Sequence, residues 1–335
     1  MSELSFSTKI YLQEQLKKIK SMIQKNHTKL YIEFGGKIIQ DKHSARVLPG
    51  YAEDTKLEIL KKICRNGEAI FVVSGRDILH DRMRGDFKTT YFEETVRSIR
   101  EFKNRGLTIR YVAISMLDKD RPIPKKIKLL EKRLRRSGIA TYRFFCISNY
   151  PKLSVNIDEL AINPFIKINK KTIAIISPGG GSGKFGVCLN QLYHEMSNGI
   201  APYYLKFETF PIHNLPINHP LNLAYMAASA DFYDIVMRDK RHGKATSYNR
   251  DLENYELLNL LAKKFPIQGK HLKSISSATN MGANMITKGI INDENVQKEA
   301  AAEIARRLVR YKFEVMAGKE NIKILNRVRA ILKML

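Results

Sequence analysis

The sequence predicts an α/β fold, with mainly parallel sheets built from βαβ units and a helical C-terminal region. Three observations carry this expectation. Short runs of β-branched and apolar residues alternate with segments of helical periodicity through the first two thirds of the chain. One such run, 172–176, leads through a glycine-rich stretch directly into a helical pattern. From residue 249 onward the periodicity reads as helical.

In order, residues 4–26 read as an amphipathic helix and 29–34 (KLYIEF) as the first strand. A turn at Gly35, Gly36 and Lys37 opens a loop that carries His43 and Arg46 and closes at Pro49–Gly50. A helix near 53–66 leads to a strand at 69–74 (AIFVVS). The polar loop behind it holds Arg76, Asp77, His80, Asp81, Arg82, Arg84 and Asp86. A helix over 90–105, a strand over 108–115, a basic helix over 123–137 and a strand over 140–146 complete an expected first domain, 1–150. A second segment, 151–265, begins with an irregular connection holding Pro151 and Pro164. It continues with the strand 172–176, a helix over 182–198 and a strand over 202–207. Pro211, Pro216 and Pro220 then forbid regular structure through 208–222, and a loop this long usually serves a ligand. A third region, 266–335, is expected to be helical; Leu325, Val328, Leu332 and Leu335 fall on one face of its last helix. An apolar face there must bury itself against the body or a partner, so a homo-oligomer through that helix is one expectation.

The chemistry concentrates at Gly179, Gly180, Gly181, Ser182, Gly183 and Lys184. Strand, glycine loop, helix is the layout in which backbone N–H groups and a helix N-terminus meet an anion. Read as a P-loop, the stretch has its Gly183–Lys184 pair, but Pro178 occupies the first glycine position and Phe185 replaces the hydroxyl that usually holds Mg²⁺. Metal handling would then fall to Glu208, at the end of the next strand, or to Asp231. Read as a dinucleotide fingerprint, Gly181, Gly183 and Gly186 fit G-x-G-x-x-G, and Glu208 would hold a ribose. A plain strand-to-helix turn is the third reading, although consecutive glycines cost backbone entropy.

These residues suggest a nucleotide-binding enzyme that transfers a phosphoryl group from ATP, with Mg²⁺, to a small anionic substrate. In that scheme Lys184, Glu208 and His213 are catalytic. Lys37, Arg46, Arg76, Arg82, Arg84, His219 and Asn222 face the substrate, because guanidinium forks suit phosphate and carboxylate groups. An NAD(P)-type dinucleotide-binding protein is the alternative.

Composition bounds the rest. Lys and Arg total 58 against 33 Asp and Glu, a net charge of +25. Such a balance suits a nucleic acid or an acidic partner, and a basic, non-catalytic binding protein is therefore a further alternative. The densest stretch, 125–136 (KKIKLLEKRLRR), has Ile127, Leu130 and Leu134 at helical spacing, so it also reads as the wet side of a packed helix. Three scattered cysteines imply no disulfide framework. No apolar run approaches the roughly 20 residues that span a bilayer, and the N-terminus has no signal-peptide pattern, so a cytoplasmic protein without membrane contact is expected.

Several motifs add a family resemblance. YIEFGGK (31–37), ARVLPG (45–50), MRGDF (83–87), PGGGSGK (178–184), NQLYHE (190–195), KFETFPIHNLPINHPLN (206–222), YNRD (248–251) and NMGANM (280–285) occur in a consistent order across the chain. In these the chain resembles a bacterial family called domain of unknown function eighteen forty-six. The resemblance implies a bacterial cytosolic protein with its polar motifs in the loops already singled out. It also implies a chain that lacks the family's C-terminal portion.

Overall fold

The computed structural model describes residues 4–25, 28–84, 89–232, 234–243 and 246–335. One parallel sheet of seven strands lies at its centre. Across the sheet the strands run β11 (Gly282–Ala283), β8 (Tyr203–Phe207), β1 (Leu30–Phe34), β7 (Thr172–Ile176), β2 (Glu68–Ser74), β5 (Tyr111–Leu117) and β6 (Ala140–Phe145). Two antiparallel ribbons lie outside it, β3 (Met83–Arg84) with β4 (Thr89–Thr90) and β9 (Val236–Arg238) with β10 (Thr246–Tyr248). Strands from the first two expected segments interleave, because β1 sits between β7 and β8.

Side-chain alternation along the strands builds two cores. Ile32, Phe34, Phe71, Val73, Ala174, Ile176, Leu205 and Phe207 face one layer. There they meet α1 (Thr8–Lys25), α3 (Thr55–Cys64), α5 (Tyr91–Asn104), α6 (Lys125–Arg136), α8 (Pro220–Ala228) and α12 (Asp293–Met316). Tyr31, Ile70, Val72, Ile173, Ile175 and Tyr204 face the other layer, formed by α7 (Lys184–Ser197), α9 (Asn249–Lys264) and α10 (Lys270–Lys273). Strands buried on both faces need apolar residues at every position, which is why β2 and β7 read as continuous apolar runs.

The connections after β1 and β2 pass over the first layer, whereas β7 continues into α7 on the second. The carboxyl end of β7 is therefore a switch point of the sheet, where a crevice opens between strands whose connections diverge.

Two features depart from expectation. The two-residue strand β11 lies inside the stretch read as helical and extends the sheet edge beside β8. The last helix, α13 (Ile322–Leu332), buries Ile324, Leu325, Val328 and Ile331 within the chain, against α12 and α8, whereas Leu335 is exposed. The apolar face on which the expected oligomer rested is thus largely used inside the chain. Two short helices, α2 (Lys42–Val47) and α4 (Gly75–Leu79), follow β1 and β2, and α11 (Ile286–Gly289) follows β11. No described helix is long and apolar enough to cross a membrane.

Candidate functional site

The glycine loop caps β7 at the switch point. Gly181 and Gly183 have φ of 70° and 82°, a left-handed backbone that glycine adopts without strain. A Cβ on Gly183 would lie 2.9 Å from Ser115 Oγ, so the loop packs against the end of β5 as only glycine allows. Ser115 Oγ donates to the Ser182 carbonyl at 2.5 Å and holds it there. Gly183 is the N-cap of the 14-residue helix α7, and no side chain caps that end. Among the described residues nothing accepts a hydrogen bond from the amides of Gly183, Lys184 and Phe185. Ser182 Oγ is buried beside them without a partner. Amides at the positive end of a helix and a buried hydroxyl form a cradle for an oxyanion.

Lys184 completes the cradle. Its side chain is buried and folds back over the loop, donating to Ser177 Oγ at 2.8 Å and to the Gly179 carbonyl at 3.3 Å. No carboxylate among the described residues lies within ion-pair distance of it. Burial pushes its pKa down to about 8; Glu33 opposes that shift, and Arg250 and Lys206 add to it. These three neighbours line the second-layer side of the site. Glu33, on β1, accepts from Tyr204 Oη at 2.5 Å. Lys206, on β8, pairs with Asp251 at the start of α9, and Arg250 pairs with Asp234 at 2.6 Å. Sequence reading missed Glu33, Lys206 and Asp251 as site residues. The signal available for them was their place in the motifs YIEFGGK, KFETF and YNRD.

Glu208 stands elsewhere. Its φ of 55° breaks the strand alternation that would have put it on the side of Tyr204 and Lys206. The carboxylate instead enters the first layer, where it is buried, accepts from Tyr11 Oη and pairs with Lys56 at 2.9 Å. Lys56 also pairs with Asp41 at 3.0 Å. Burial works against the Lys56 ammonium, but Asp41 and Glu208 outweigh it and raise its pKa well above the usual range. Glu208 is thus a partner of Lys56, in the layer opposite Lys184. In the sheet, β1 also separates β8, whose end carries Glu208, from β7.

The other expected residues divide. Arg82 lies at the same edge as the glycine loop. Its carbonyl accepts from the Tyr91 amide, and Tyr91 Oη stands 3.3 Å from where a Gly179 Cβ would be. The Arg82 guanidinium reaches Asp77 at 3.4 Å and Asp231 at 3.6 Å. Lys37 follows β1 in the adjoining loop, and Arg76 is exposed on α4. The Arg84 side chain, with residues 85–88, lies outside the described residues. Arg46 grips Glu303 with two hydrogen bonds of 2.7 and 2.8 Å and ties α2 to α12. His219 caps α8 through the Leu221 amide and meets Asp293 at 3.2 Å. Asn222 is fully buried and pins the proline-rich loop through Ile212 and Pro216. His213 is exposed, edge-on to His242. Arg46, His219 and Asn222 hold structure together, and His213 makes no contact with the cradle.

An octahedral Mg²⁺ site needs oxygen donors, and the expected ones are committed elsewhere. Phe185, at the position of the P-loop hydroxyl, packs edge-on against Tyr204. Glu208 is engaged on both oxygens by Tyr11 and Lys56, and Asp231 faces Arg82. Among the described residues no group of three or more His, Cys, Asp or Glu side chains is placed to hold a metal ion. The cradle fits a phosphate group; the expected donor set does not fit the metal.

The model "Domain of unknown function DUF1846, N-terminal" matches residues 4–335. The chain belongs to this family. Against the expectation of a missing C-terminal portion, the matched unit runs to residue 335 and takes in α12 and α13. The chain is 39% identical to the UPF0371 protein FN1121 of Fusobacterium nucleatum, over 98% of its own length and 65% of that relative. It is 37% identical to a UPF0371 protein of Streptococcus equi subsp. zooepidemicus, over 94% of its length and 64% of the relative. The chain thus spans just under two thirds of these curated relatives.

Proposed function

We propose that this chain is a nucleotide-binding enzyme that holds a phosphate group in the 179–184 loop and passes a phosphoryl group to a small anionic acceptor. The observation that carries this reading is Lys184, a buried cation with no carboxylate partner among the described residues, placed beside helix amides and a Ser182 hydroxyl that those residues likewise leave unpartnered. A buried charge without a counter-ion is costly, and a phosphate oxygen supplies the missing one.

On binding, the amides at the start of α7 and Ser182 Oγ take phosphate oxygens. Lys184 leaves Ser177 and the Gly179 carbonyl for the anion and neutralises charge that builds during transfer. Arg82 sits at the same edge, where its fork suits the acceptor's charge. Glu33, on β1, adds a negative charge that favours the Lys184 ammonium.

Calorimetric titration of ATP, with and without Mg²⁺, and of NAD(P) tests the reading. ATP is expected to bind, and Lys184→Ala to weaken it about a hundredfold, roughly the loss of one strong charge-assisted contact. If neither ligand binds, or the variant binds ATP as the parent does, the proposal fails.

A further inference from the structure

The face formed by α6 and the edge strand β6 has no part in the glycine-loop site. A shallow, open groove of about 640 Å³ lies on it, lined by Lys128, Glu131, Lys132, Arg135, Arg136 and Arg143. Glu131 is buried and takes the Arg143 fork at 2.7 and 2.8 Å, with Arg135 at 3.4 Å. This single carboxylate fixes two guanidinium heads at the groove wall and offsets one of five positive charges. Lys128, Lys132 and Arg136 are exposed and have no acidic partner within ion-pair distance among the described residues. They recur at every fourth position, one row along about 12 Å of helix.

Helix electrostatics does not account for the row. Cations near the C-terminal end of α6, such as Arg135 and Arg136, complement the helix dipole, but Lys125 and Lys128 lie in its first turns, where the dipole disfavours them, and Lys126 there pairs with Asp81. The first turn of α6 has no acidic residue. Four uncompensated charges lie in one strip, and like charges so arranged raise a local positive potential that attracts a polyanion.

We propose that the α6–β6 groove is a docking surface for the phosphate backbone of a nucleic acid. The cations contact successive phosphates and release their counter-ions, and Arg135 and Arg143, already oriented by Glu131, serve as fixed forks. The contacts carry no base recognition, so binding is indifferent to sequence. This proposal is independent of the glycine loop.

Fluorescence anisotropy with labelled duplex and single-stranded oligonucleotides, over a salt series, tests it on the full chain. Four phosphate contacts predict a log–log slope of about −4 for a duplex and about −3 for a single strand. Neutralising Lys132→Gln and Arg136→Gln together flattens the duplex slope by about 2. Both residues are exposed, so the fold survives their loss. Neutralising two exposed lysines of α1, Lys17→Gln and Lys20→Gln, removes the same charge elsewhere and leaves the slope as it was. Lys184→Ala leaves it unchanged too. Absence of binding at low salt overturns the proposal, as does equal flattening by the α1 pair. Displacement of the oligonucleotide by polyglutamate of matched charge, at equal concentration, overturns the choice of nucleic acid.

Discussion

Two buried lysines at the same edge of the sheet show how differently one side chain can be used. Lys56 lies between Asp41 and Glu208, 3.0 and 2.9 Å away, with tyrosines packed around the group. Its charge is compensated, and its pKa stands well above the usual lysine range. Lys184 is just as deeply placed, yet among the described residues holds only a hydroxyl and a carbonyl, and its pKa falls to about 8. The first lysine is a finished structural joint between α3, the loop after β1 and the end of β8. The second is an incomplete ion pair, and its missing half is the ligand.

Breaking the finished joint should have the largest effect. Lys56→Met leaves two carboxylates buried without their cation and is expected to cost about 3–5 kcal/mol in urea unfolding. Lys184→Met should leave stability unchanged or raise it, since it removes an uncompensated buried charge. Equal losses from the two variants would erase the contrast.

Acid probes the joint from the side of His43, whose ring meets Glu303 at 3.2 Å and the Arg307 guanidinium at 3.1 Å. Burial lowers the pKa of His43 from 6.5 to about 4. The folded state therefore refuses a proton that the unfolded chain accepts between those values, and stability falls as pH drops from 6.5 towards 4. The decline amounts to about 2–3 kcal/mol, and His43→Gln should flatten it; an unchanged slope in that variant would assign the decline to other groups.

On the incomplete side, Gly183→Ala forces a left-handed alanine onto Ser115, for an expected loss of about 1–3 kcal/mol, read by thermal unfolding. Ser182→Ala should be milder. It removes a hydroxyl that has no partner in the free protein, so stability holds while ATP affinity falls about fivefold, roughly 1 kcal/mol. A stability loss with unchanged affinity would make Ser182 a packing residue.

Much of this arrangement was legible in the residues. β2 and β7, buried on both faces, announce themselves as unbroken apolar runs, and Gly181 and Gly183 mark a backbone that other residues adopt only with strain. β11 was illegible, because two residues of Gly and Ala carry no periodicity. The reach of Glu208 was illegible for a different reason. Strand alternation places it with Lys206 on the side of Lys184, and one left-handed residue at the strand end turns it into the opposite layer. Glu33 was hidden as a charge in an otherwise apolar strand, and only the pairing of β1 beside β7 brings it to Lys184. Phe185 looked like a defect in a P-loop; packed on Tyr204, it is a core residue.

Proton linkage tests the incomplete ion pair most directly. Free Lys184, with a pKa of about 8, is half protonated at that pH, and an arriving phosphate raises the pKa and draws in a proton. Calorimetry of ATP binding at pH 8 in two buffers of different ionisation enthalpy should report an uptake of about half a proton per chain. Lys184→Met should show none, and parent affinity should weaken as pH rises through 8. Binding without proton uptake, or the same uptake in the variant, would contradict the claim that Lys184 is the cation awaiting its anion.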